Sequence, residues 1–268
     1  MTSQVTTNSF DFGRVIKNTF GAIRQNAATF AILALVLAGI PAAISTFGLV
    51  GLFGRLTAIG SGAPAEPSLA FMGFNAALAG GGTLINVFAN AILQAAVMYG
   101  TAAFLNGRTA SLGECFGAGL RRCLPLIGLM IVVAIAVFFG FLLLVVPGVM
   151  MAVAWVVAVP ALVVERTGVF GALGRSADLT RGRRWPIFGF IVLYFIAFSV
   201  VQQVVLGIVG SVIVAATPSA MIVRQLPVSA ALGVLVAVLA SAGSAAIYYE
   251  LRTTREGVGP EALASVFD

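Results

Sequence analysis

"RGRRWPIFGFIVLYFIAFSVVQQVVLG", residues 181–207, decides the class of the whole chain. Arg181, Arg183 and Arg184 crowd its start, Trp185 and Pro186 follow, and no charged side chain appears again before residue 214. About twenty apolar residues are enough for a helix to cross the hydrocarbon of a bilayer. The run is continuously apolar, where a barrel strand would alternate, so a helix is the structure that satisfies its backbone in lipid. A basic and aromatic entrance followed by an uncharged run is a membrane span with its edge at the lipid–water boundary.

The rest of the sequence has the same character. The 268 residues are 60% hydrophobic and 9% charged, with a mean hydropathy of +1.08. A soluble domain carries about 25% charged residues, so a globular core and a disordered chain are both excluded. Six spans are predicted, at 27–53, 80–104, 124–146, 148–165, 185–214 and 228–250. Pro147-Gly148 is the expected turn between spans three and four. The tail of the 54–79 connection, "LAFMGFNAALAG", is either a short interfacial helix or an early start of span two. The fold class is therefore all-α, polytopic, with six transmembrane helices in three hairpins. The chain reads as a single integral membrane domain over 1–268 that includes a tail at 251–268.

Charge sets the orientation. Of fifteen Lys and Arg residues, all but Arg55 and Arg224 fall in the N-terminal segment, the 105–123 and 166–184 loops, or the C-terminal tail. Positive loops stay on the cytoplasmic side, so both termini are expected there, and an even number of spans agrees. The net charge of +6 belongs to these dispersed loops and not to a nucleic-acid surface. Cys115 and Cys123 lie near the basic loops, where a reducing compartment leaves no disulfide. No cleavable signal is read at the N-terminus, since the first apolar run is long enough to span and stay.

Each hairpin is expected to follow a short amphipathic interfacial helix. Phe12, Ile16, Phe20 and Ile23 form the apolar stripe of the first; Leu112, Phe116 and Leu120 that of the second, behind the capping box Ser111–Glu114; Phe170, Leu173 and Ala177 that of the third. Three units follow, at 9–104, 111–165 and 169–250, as in parallel-repeat membrane folds.

The chain has no histidine, no phosphate-binding loop and no charged residue inside a predicted span. No catalytic residue, cofactor or metal ligand is assigned, and ion-coupled transport is disfavoured. Thr83, Asn86, Asn90, Gln94 and Thr101 fall in one arc of span two. They line a polar path, with Gln202 and Gln203 of span five as partners, or they hydrogen-bond between helices. Glu165 and Glu250 close spans four and six beside arginines, as interface ion pairs, with Arg184 and Arg252 the expected partners. Their alternative is acid–base work on a lipid.

The segment "PGVMMAVAWVVAVPALVVERTGVFGALGRSADLTRGRRWPIFGF" resembles the membrane domain of bacterial glycerophosphoryl diester phosphodiesterases and its stand-alone relatives. The matching positions are Pro147-Gly148, Pro160-Ala161, Glu165, Ala172 to Ser176, Leu179-Thr180, Gly182 and Trp185. "LNGRTASLGECFGAGLRRCLPLIG" and "YYELRTTREG" are similar to the middle and end of that family. The resemblance implies a bacterial inner-membrane protein without the catalytic domain that carries the phosphodiesterase activity. The expected function is non-enzymatic: binding of anionic lipid headgroups by Arg175, Ser176, Thr180, Arg181, Arg183, Arg184 and Trp185, in lipid handling, membrane organisation or support of a membrane protein partner. The N-terminus of the 169–181 helix would add its dipole to these arginines. The alternative is a transporter or channel for a small neutral or lipid-like solute.

Overall fold

The computed structural model describes residues 11–60, 69–212 and 218–256, with side chains except at 55–60, 209–227 and 256. Ten α-helices follow in order: α1 (Phe12–Gln25), α2 (Ala27–Ala34), α3 (Ile40–Gly60), α4 (Leu69–Leu105), α5 (Leu112–Leu143), α6 (Val145–Ala154), α7 (Ala158–Glu165), α8 (Gly168–Thr180), α9 (Arg184–Val212) and α10 (Pro218–Glu256). There is no strand among the described residues. Six stretches are long and apolar enough to cross a membrane: Ala27–Gly54, Leu69–Leu105, Leu112–Leu143, Val145–Glu165, Arg184–Ile208 and Val228–Arg255. The chain is an all-α polytopic integral membrane protein.

Proline explains where these helices depart from regularity. A proline has no amide for the carbonyl four residues back, and its ring crowds that carbonyl. Before Pro41 the chain widens into a π-turn, Leu35–Gly39, in which the Ile40 amide reaches the Leu35 carbonyl; the extra residue absorbs the misfit at Leu37. Before Pro147, α5 stops at Leu143 and Leu144 is extended, with φ −164° and ψ 146°. The turn between spans three and four is thus at Leu144, and Pro147-Gly148 sits in the first turn of α6 instead of forming the bend. Gly148 lies so close to Phe141 that a Cβ would come within 2.8 Å of the Phe141 amide nitrogen. Before Pro160, span four breaks at Trp155–Val157 and separates α6 from α7.

Two expected boundaries move. The "LAFMGFNAALAG" segment is the early start of span two, since α4 is continuous from Leu69. Its 37 residues extend about 55 Å at 1.5 Å per residue. The second amphipathic segment is not a separate helix. It forms the first turns of α5, which continues through Pro125, behind the predicted capping box. α1 and α8 are separate helices, as expected.

α4 is the hub, packing against α1, α2, α3, α5, α7 and α10. Its alanines at 89, 91, 95, 96 and 102 are buried, and small side chains let neighbouring helices approach. α3 and α4 cross with their backbones close at Gly48 and Gly82, where a Cβ would lie 2.5 Å from the Ala79 amide nitrogen and 2.8 Å from that of Ser45. α9 is peripheral. It packs on α10 and α6, and none of the residues in its apolar window is buried. Large apolar side chains are exposed along all six spans, as a lipid-covered surface requires.

The basic segments converge on one end of the bundle. α1 packs across the C-terminal parts of α10 and α4, with Phe104 against Gly21. Its buried face is Val15, Thr19 and Ala22, while Phe12, Ile16 and Phe20 point outward. Leu112, Phe116 and Leu120 of α5, Phe170 of α8 and Trp185 of α9 are exposed in the same way. Leu173 is buried and Ile23 and Ala177 are half-buried, Ile23 against the core. The rest of the predicted stripes forms an outward apolar belt among the arginines. The side chains of Arg55 and Arg224, expected at the other end, lie outside the described ones.

Candidate functional site

The headgroup residues proposed from the sequence divide into two groups. Arg175, Ser176 and Thr180 face inward. Ser176 and Thr180 are both 0% exposed. The break before Pro160 costs the Ala154 carbonyl its helical donor, because the Ala158 amide bonds to Trp155 instead, at 3.0 Å. The Ser176 hydroxyl donates to that carbonyl at 2.8 Å, and Thr180 lies within 3.3 Å of it. Thr180 also donates to the Ser176 carbonyl, at 2.9 Å. A buried acceptor left bare would be costly, so this part of the motif closes the broken span. Neither hydroxyl is available to a headgroup, which corrects the expectation for Ser176 and Thr180.

Arg175 is likewise engaged. Its Nε donates to both Glu165 oxygens, at 2.8 and 3.0 Å. The Tyr248 hydroxyl donates to the same carboxylate at 2.6 Å. This replaces the expected Glu165–Arg184 pair and ties α7, α8 and α10 together. Glu250, 3% exposed, accepts from the Asp11 amide at 3.2 Å and faces the Arg14 Nε at 3.6 Å. Its partner is therefore on α1, where the sequence pointed to Arg252. Both carboxylates are paired, as expected, with partners that local spacing did not reveal.

Arg181 and Trp185 are exposed, Arg183 and Arg184 half-buried. Arg183 donates to the Thr254 hydroxyl of α10. These residues follow the C-terminal end of α8. The 13-residue helix is about 20 Å long, so they cannot share a ligand with its N-terminal dipole. The expected combination of the two is corrected.

The polar path is not assembled. Thr83 and Thr101 donate to the Ala79 and Val97 carbonyls one turn earlier, at 2.7 and 2.8 Å. Asn90 donates to the Asn86 carbonyl at 2.9 Å and to its side chain. These are bonds within α4, neither interhelical nor aimed into a path. Gln94 Oε1 is sheltered without a hydrogen-bond partner among the described residues. Gln202 is half-buried and Gln203 exposed on α9, whose main packing is on α10 and α6.

A different group of residues does surround a space. A cavity of about 660 Å³ opens at the basic end between α4, α5, α7 and α8. Tyr99, Gly113, Glu114, Gly117, Arg121, Arg122, Pro125 and Arg166 contribute to its lining, and Gly168 closes one side. Arg122 lies within electrostatic reach of both Arg121 and Arg166. No carboxylate comes within 4 Å of these three guanidiniums among the described residues. Glu114 is committed to its capping box, accepting from the Ser111 amide at 2.8 Å and hydroxyl at 2.9 Å.

Backbone geometry adds donors. Arg166 ends α7 in the left-handed region, at φ 55°. Thr167 follows at φ −80°, ψ 1°, and Gly168 at φ 74°. Alternation of left- and right-handed residues is the backbone pattern of anion-binding amide turns, and Arg166 and Gly168 both line the cavity. Thr167 gives α8 no side-chain cap, so its first amides are open to an anion. Only the glycine accepts its φ without strain.

Sequence reasoning counted Arg121, Arg122 and Arg166 as charges that set topology and missed their convergence. The available signal was Gly113, Gly117 and Arg121 at successive intervals of four, a bare helical strip ending in a guanidinium. The chain matches no protein-family model, no curated protein and no solved structure.

Proposed function

We propose that this is a non-enzymatic protein of the bacterial inner membrane, with both termini in the cytoplasm, that holds an anionic lipid headgroup at its basic end. Its role is in lipid handling, membrane organisation or support of a membrane partner. The observation that carries this reading is the convergence of Arg121, Arg122 and Arg166 on one cavity without a paired carboxylate. Arg121 and Arg166 are exposed and Arg122 is half-buried; like charges held this close repel one another, and a bound anion relieves that repulsion. Basic pockets between spans on the cytoplasmic side suit lipid headgroups. The outward belt of Phe12, Ile16, Phe20, Phe116 and Trp185 keeps the cavity near the headgroup layer. The uneven distribution of arginines along the sequence and the phosphodiesterase-like segments support this compartment. Transport through an Asn86–Asn90–Gln94 path has less support, since Gln202 and Gln203 stand apart from it. Acid–base chemistry has less support too, since Glu165 and Glu250 are each held by an arginine.

Native mass spectrometry of protein extracted in mild detergent tests the reading. Wild-type protein should retain anionic phospholipid over zwitterionic phospholipid. The Arg121/Arg122/Arg166→Gln variant should lose about tenfold or more of that retention, and Arg181→Gln should keep it. Equal retention by all three proteins would sink the proposal.

A further inference from the structure

The geometry points to a phosphomonoester amphiphile, a lipid whose headgroup is a terminal phosphate, as the ligand of the basic cavity. This inference rests on the headgroup reading above and narrows it.

Charge gives the first argument. The cavity holds three guanidiniums, and its single lining carboxylate, Glu114, is turned into a capping box. A phosphodiester brings one negative charge. A phosphomonoester brings close to two at neutral pH and three terminal oxygens, a better match to the excess of positive charge. All three arginines border one cavity, and Arg122 senses both of the others. A single compact anion fits that arrangement better than two phosphates held apart by a linker.

The donors are of two kinds, and they come from different elements. Arg121 and Arg122 belong to α5, Arg166 to the end of α7, and Gly168, which brings the uncapped start of α8 to the cavity, to α8. Guanidinium groups can bind phosphate oxygens in pairs, while a concave run of amides suits one oxygen at close range. A group with three free oxygens can engage these elements together. A diester has only two free oxygens, and its second ester arm must also leave the cavity.

Space gives the third argument. A Cβ added at Gly113 or Gly117 would meet nothing within 4 Å. No neighbour requires glycine at either place, and Gly117, in the helix interior, costs about 1 kcal/mol relative to alanine. What the missing side chains do is leave the cavity open. The adjacent surfaces are apolar and exposed, at Phe116, Leu120 and Leu124 on α5 and Phe170 on α8. They offer acyl chains a course beside the headgroup, which makes a lipid the source of the phosphate and not a free metabolite.

The test is a binding titration on the full-length protein in a neutral detergent at pH 7.5. The probes are dihexanoyl phosphatidic acid, dihexanoyl phosphatidylglycerol and glycerol 3-phosphate. The expected result is at least about tenfold tighter binding of the phosphatidic acid than of either other probe. Arg122→Gln/Arg166→Gln and Gly117→Leu should each abolish that preference, the second by filling the cavity without removing charge. Equal affinity for the two lipids overturns the monoester assignment and leaves the headgroup reading standing. Binding of glycerol 3-phosphate as tight as that of the lipid overturns the lipid source. Wild-type preference in both variants overturns the location. Failure of both lipids to bind removes the monoester assignment together with the headgroup reading.

Discussion

Replacing Ser176 by Ala and Thr180 by Val together should destabilise the protein by about 2–3 kcal/mol, and by more than the two single changes summed. Both hydroxyls reach the same carbonyl, that of Ala154, which the break before Pro160 has left without a helical donor. Ser176 makes the shorter bond, 2.8 Å against 3.3 Å, and Thr180 has an alternative acceptor in the Ser176 carbonyl. Ser176→Ala alone should therefore cost about 1 kcal/mol, because Thr180 can turn to the vacated carbonyl. Thr180→Val alone should cost less. Only the double variant leaves the acceptor bare, in a place where both donors are 0% exposed and water cannot substitute. Arg181→Gln, one residue further along, should stay within about 0.5 kcal/mol of wild type. Thermal unfolding followed by size-exclusion chromatography in detergent reads the difference. A neutral double variant would show that the motif does not close the broken span.

Gly119→Ala should be more damaging than Gly117→Leu, although leucine is the far larger addition. A Cβ at Gly119 would sit 2.5 Å from the Ile92 carbonyl oxygen of α4. That is backbone, so the two helices must move apart, at a cost of about 3 kcal/mol. Gly117 is two residues away and faces the cavity, where a Cβ meets nothing within 4 Å. Leucine there also gains about 1 kcal/mol of helix propensity over glycine. The expected outcome is a poorly expressed or aggregating Gly119→Ala protein and a monodisperse Gly117→Leu protein of at least wild-type thermal stability. The reverse order of stability would contradict the α4–α5 packing and the open cavity.

What the sequence made legible follows a division in the physics. A span is a one-dimensional property, a length of chain without charge, and it survives errors of a few residues. The six spans and the capping box at Ser111 were read on that basis. Turns were less legible, because a proline disrupts the chain a few residues before itself. Leu144 and Trp155–Val157 bend, while Pro147 and Pro160 carry the cause. Pairings were hidden altogether. Glu250 meets Arg14, 236 positions away in the sequence, and Glu165 meets Arg175 and Tyr248. Nothing in local spacing ranks these above Arg252 or Arg184. The motif Arg175-Ser176, Leu179-Thr180 pointed to headgroup binding; in the fold, Ser176 and Thr180 close a broken span and Arg175 helps to fix three helices. The binding candidates were the less conspicuous arginines, since convergence on a cavity is a property of four helices together.

Arg121, Arg122 and Arg166 are the proposed holders of an anionic headgroup. The most direct measurement is an electron cryomicroscopy structure of the protein in nanodiscs containing phosphatidic acid and phosphatidylglycerol. Ordered headgroup density is expected in the cavity, between these three side chains and Gly168. A cavity holding only water, with ordered headgroups gathered instead at Arg181, Arg183 and Arg184, would contradict it.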